Sequence, residues 1–150
     1  MEDKLYISQS NSFYVGDKSG DDILDVSEAN INLKHLLGRY THPLVYILGF
    51  LDISDANIKN HFKEIKPLYV GFAKSTDALN SIKERFGFYK DDKNVNGINL
   101  ISCESEREAF VLASEIWHDY QSQIYNDYHP TRLLDIGWKC TRCDYKPSKN

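Results

Sequence analysis

With 150 residues the chain is long enough for one domain with a real hydrophobic core. A hydrophobic share of 41% excludes disorder throughout, and the longest apolar run, Pro43 to Leu51, is far short of the roughly 20 residues that span a bilayer. A net charge of −4 argues against unspecific coating of duplex nucleic acid as the main task, while leaving room for a locally basic surface.

The first ten residues, MEDKLYISQS, carry early acids and no apolar stretch, which predicts no secretory signal and a cytoplasmic chain. Abundant Asn, Lys, Ile and Tyr suggest an AT-rich coding source such as a phage or a low-GC bacterium. Lys4 to Val15 predict two short strands around a polar turn, and GDKSGDD a loop. Ser27 is a candidate cap for a helix to about Leu37, which Gly38 would end.

Pro43 introduces LVYILGFLDI, a short run of β-prone residues that predicts a buried strand. SDANIKNHFKEIK reads as an insertion or a short helix. A second strand, LYVGFA, follows Pro67. Thr76 or Asp77 then opens a helix to about Tyr89, with Ala78, Leu79, Ile82, Phe86 and Tyr89 on one side. DDKNVNG is a loop and INLISC a third strand. Ser105 and Glu108 form a capping box for the last helix, so Glu108 reads as a cap rather than a ligand. Ala109, Leu112, Ala113, Ile116, Trp117 and Tyr120 share one face of that helix, and His118 falls on its polar side.

The expected fold class is α/β of the α+β kind: a small central β-sheet of about three strands flanked by helices. An N-terminal strand and helix extension over 1–40 packs on a core domain at 41–130. An irregular basic tail follows at 131–150. That tail holds Cys140 and Cys143 as a CxxC pair, half of a zinc site. Cys103, His129 or a second chain would have to complete it, and a reduced pair without function is the alternative. Trp138 and the basic residues nearby would suit a small nucleic-acid-touching knuckle.

The order strand, strand, helix, strand, helix, with the residues placed along it, resembles the GIY-YIG endonuclease superfamily. The first motif strand supplies Tyr46 in VYI, and the second supplies Tyr69-Val70-Gly71. Arg85 in RFGFY stands for the family's helical Arg, Glu115 in AFVLASEIW for its Glu, and Asn126 in QIYN for its Asn. The resemblance implies a GIY-YIG-like fold that hydrolyses DNA phosphodiester bonds with Mg²⁺ or Mn²⁺. Glu115 would hold the metal and Arg85 would brace the phosphate. Tyr46 and Tyr69 would order or deprotonate the water. Gly71 would serve through its backbone, since without a Cβ it permits close approach. In one rival register Leu79 and Asn80 hold the Arg position, and in another Ala113 takes the Glu position; either leaves no catalytic site.

Three functions follow as expectations. The first is a small divalent-metal-dependent endonuclease acting on DNA. The second is a catalytically inactive GIY-YIG-like protein of the phage inhibitor or adaptor type, contacting a protein partner or nucleic acid. The third is a small module with a structural zinc. The first requires Tyr46, Tyr69, Arg85 and Glu115 to converge in one cleft.

Overall fold

The computed structural model describes residues 12–17, 22–25, 30–31, 33–51, 65–89, 91–125, 129–130 and 140–143. The apolar run after Pro43 becomes β4 (Leu44–Phe50), in which the first six residues are buried whichever way they point. A strand buried on both faces has to be central. β4 indeed lies between β5 (Lys66–Ala73) and β6 (Gly97–Ser102), antiparallel to both. Among the described residues, no helix is long and apolar enough to cross a membrane.

The protein is α+β, with one antiparallel sheet in the order β3-β2-β1-β6-β4-β5. The three strands expected for the core are therefore joined by three more. β1 (Ser12–Asp17), β2 (Asp22–Asp25) and β3 (Asn30–Ile31) continue the sheet beyond β6. At the seam Ser12 pairs with Asn99, whose side-chain amide donates to the Ser12 hydroxyl at 2.8 Å, so both buried polar groups meet each other.

Two expectations for the N-terminal part change. Part of the expected loop is strand, because β1 extends through Gly16 and Asp17. The expected helix from Ser27 shortens to α1 (Leu33–Leu37). Asn30 and Ile31 face Leu24 and Ile23 across the sheet, so their backbone groups serve a strand pair rather than a helical turn. The strand expected near Lys4 and the insertion after Ile53 lie outside the described residues.

The sheet alternation separates two apolar layers. Leu44, Tyr46 and Leu48 face one side, with Ala78, Ile82 and Phe86 of α2 (Ala78–Phe88) and with Leu36 and Leu37 of α1. Val45, Ile47 and Val70 face the other, with Ala109, Ala113, Ile116 and Trp117 of α3 (Glu106–Asp119). Hence α2 and α3 cover opposite faces of one sheet.

The pairing of β4 with β5 slips between Leu48 and Gly49, where Leu48 faces Tyr69 but Gly49 faces Pro67. This bulge inserts Leu68, which consequently packs on the α2 layer beside Tyr69. Tyr69 itself faces the Tyr46 side through the regular pairing of Tyr46 with Gly71 and Leu48 with Tyr69, before the slip.

The capping box at α3 forms with a variation. The Ser105 hydroxyl accepts from the Glu108 amide at 3.1 Å, and the Glu108 carboxylate accepts from the amide of Glu104 rather than that of Ser105. Ser105→Ala is expected to cost about 1 kcal/mol in a urea melt, the usual value of an N-cap.

Candidate functional site

Tyr46, Tyr69 and Arg85 do come together, on the α2 layer. The Tyr46 and Tyr69 rings stack with centroids 6.2 Å apart, as diagonal neighbours across β4 and β5. The Arg85 guanidinium lies 4.6 Å from the Tyr69 ring centre and 5.0 Å from that of Phe88. Tyr89 continues the ring series to Tyr125 at 5.4 Å. Tyr125 also walls a cleft of about 380 Å³ with Phe50, Lys66, Leu68, Asn94 and Gln123.

The two ends of this series differ in character. Tyr46 is buried, and desolvation, reinforced by Tyr69, pushes its hydroxyl well above the ordinary tyrosine value against the pull of Arg85. It stays protonated at neutral pH and is a poor base. Phe88, by contrast, is 73% exposed beside Arg85. Gly71 sits directly across from Tyr46, and the space its missing Cβ leaves is filled by the Tyr46 ring and hydroxyl. The close approach expected at Gly71 is thus made by a neighbouring side chain.

Glu115 does not join them. It lies on α3, which packs on the other face of the sheet, and its carboxylate accepts from the Thr141 hydroxyl at 3.0 Å. The expected convergence of four residues is corrected here, because α2 and α3 are separated by the sheet itself. Asn126 lies outside the described residues.

The α3 side carries a different constellation. One ligand atom each from His118, His129, Cys140 and Cys143 lies within 4.8 Å of all the others, so this group can hold a metal ion. A tetrahedral zinc with ordinary Zn–N and Zn–S bonds sets its donors about 3.3 to 3.8 Å apart. Closing the widest pair takes a shift of about 0.5 to 0.75 Å at each of its two donors. It is the one such cluster of His, Cys, Asp or Glu among the described residues, and none of that kind adjoins Tyr46, Tyr69 and Arg85 to seat Mg²⁺ or Mn²⁺.

Each donor is prepared locally. His118 comes from the last turn of α3, and its Nε2 is buried with no hydrogen bond. Burial lowers its proton affinity, Arg142 lowers it further and Asp119 opposes, so the neutral, metal-binding imidazole is favoured. His129 Nδ1 lies 2.9 Å from the Pro130 carbonyl, which makes Nδ1 the donor and turns the lone pair to Nε2. The His129 ring packs between Phe110 and Trp117 at 6.1 and 5.1 Å. The Cys140 sulfur is buried and accepts from the Arg142 amide at 3.3 Å.

The sequence had shown the CxxC pair and His129, but His118 stood on a polar helix face, where a surface role is the ordinary reading. The open choice of completing ligand resolves without Cys103. That residue packs beneath α3 with Val45 and Ile47, its thiol 3.8 Å from the Ile101 carbonyl. Burial and the nearby Glu108 push the Cys103 thiol up to about 11. At pH 8 a thiol reagent should therefore modify the exposed Cys143 quickly once metal is chelated, and Cys103 only on unfolding; rapid modification of Cys103 in the folded protein contradicts this packing.

Comparison with family models, with curated proteins and with solved structures returns no match in any of the three.

Proposed function

We propose that this chain is a zinc-stapled, GIY-YIG-like binding domain that does not cleave DNA. The observation that carries the reading is the meeting of four donors, two imidazoles and two thiols, within 4.8 Å of one another. Sulfur and imidazole in this ratio favour Zn²⁺ over the hard cations Mg²⁺ and Mn²⁺. Four protein ligands complete the tetrahedron and leave no position for a water or a phosphate, so the metal is structural rather than catalytic. It ties the Cys140–Cys143 turn and His129 to the last turn of α3. The element order from Leu44 to Asp119 supports the family likeness, and the position of Glu115 behind the sheet supports the loss of cleavage.

Metal analysis of purified protein tests this. One zinc per chain is expected, with none retained by Cys143→Ser. Supercoiled and linear DNA should stay intact in Mg²⁺ or Mn²⁺. Cleavage that Glu115→Ala abolishes would restore the nuclease reading.

A DNA-contacting role for the opposite face has its own support in Arg85 seated on Tyr69 and Phe88, the latter exposed. An exposed ring beside a cation suits a stacked base and its phosphate. Stacking of this kind is worth about 1–3 kcal/mol per base, so Phe88→Ala should weaken binding of a labelled single-stranded oligonucleotide at least about fivefold in fluorescence anisotropy. Equal binding by the variant removes this surface from consideration.

A further inference from the structure

Beside the metal centre stand two carboxylates that the zinc reading does not use. Glu115, His118 and Asp119 stand at spacings of three and four residues on α3, which puts them on one strip of the helix surface. Opposite them is the turn Cys140-Thr141-Arg142-Cys143. Each residue between the two cysteines reaches one carboxylate: the Thr141 hydroxyl donates to Glu115 at 3.0 Å, and the Arg142 guanidinium donates to Asp119 at 2.8 Å. Arg142 is held at both ends, since its backbone amide also donates to the Cys140 sulfur.

We infer that Glu115 and Asp119 are positioning residues of the metal centre, holding the cysteine turn against α3 so that both thiolates meet His118 and His129. This rests on the zinc reading and assigns Glu115 a task other than catalysis. The physical argument is one of charge and order. Zinc with two thiolates and two neutral imidazoles carries no net charge, so the site itself does not neutralise Arg142; Asp119 does. A CxxC turn left to itself samples many orientations of its two sulfur atoms. Fixing Thr141 and Arg142 removes that freedom before the metal arrives, which is how outer contacts raise metal affinity. The helical spacing decides the geometry: the two carboxylates are about one turn apart along α3 and about 40° apart around it, both on the same side of His118, so the turn is gripped at two points along one side of the metal position.

The test is zinc affinity by competition with a chromophoric chelator, using the full chain. Glu115→Ala and Asp119→Ala are each expected to raise the zinc Kd about tenfold, the lower end of the usual range for outer contacts. The double variant should lose more than either. Glu115→Gln should recover most of the affinity, because its carbonyl still accepts from Thr141. A purely structural role predicts a different pattern, in which the metal-free unfolding midpoint falls and Gln does not rescue. Cobalt substitution adds a spectroscopic readout, since a loosened turn alters the ligand-field bands of the Co²⁺ form. If wild type binds zinc and both Ala variants bind it equally tightly, the positioning role is overturned and the zinc reading stands. If wild type binds no zinc at all, both fall.

Discussion

Cys143→Ser is expected to abolish zinc binding and to lower the unfolding midpoint of the zinc-loaded protein by about 10 °C. Cys143 and Cys140 supply the only two sulfur donors of the group, and losing one breaks the tetrahedron. A ligand that binds only the folded state stabilises it by about 4 kcal/mol when free ligand is a thousand times its Kd. For a chain of this length each kcal/mol moves the midpoint by roughly 2–4 °C. Chelator should reproduce the drop in wild type and add nothing in the variant. Cys103→Ser makes the matching control: it should keep its zinc, because Cys103 lies in the apolar layer under α3 rather than in the donor group. A variant that still binds one zinc with unchanged affinity would show that the fourth donor is another group.

Gly49→Ala should cost about 4 kcal/mol or more, enough to leave much of the protein unfolded. A Cβ at Gly49 would stand 2.0 Å from the Lys66 carbonyl oxygen, a backbone atom that cannot move alone. Lys66 pairs with Phe50, and the Gly49 carbonyl accepts from the Asn96 amide at 2.9 Å on the other side. Relief on either side therefore breaks sheet hydrogen bonds. Gly71→Ala offers a graded comparison. There the clash, 2.6 Å, is with the Tyr46 hydroxyl, which can yield only by leaving its place against Tyr69. Overpacking of that kind costs about 1–3 kcal/mol. Urea melts of the two variants should fall in that order. A Gly49→Ala protein as stable as wild type would show that the strand register at the bulge is different.

How much of this was readable beforehand depends on the range of the interaction concerned. The core strands, the two long helices and the Ser105 cap follow from local pattern: apolar runs, helical spacing and a box four residues long. The N-terminal strands did not follow, because Asn30 and Ile31 choose strand over helix only through partners at Leu24 and Ile23. The bulge at Leu68 was equally hidden, since one extra residue in a strand leaves no mark in composition.

The sequence by itself determined the α+β class, the buried strand β4 and the CxxC half of a group able to hold a metal ion. It also drew attention to Tyr46, Tyr69, Arg85 and Glu115 as one group. Only the tertiary structure decided which of these share a side. The sheet between α2 and α3 separates Arg85 from Glu115, whereas chain return brings Cys140 and Cys143 to His118 and His129. Periodicity shows which face of a helix is apolar; which side of the sheet that helix covers is set by packing among residues distant in the chain. The four His and Cys side chains that can hold a metal and the residues grouped with Glu115 are sorted by that choice.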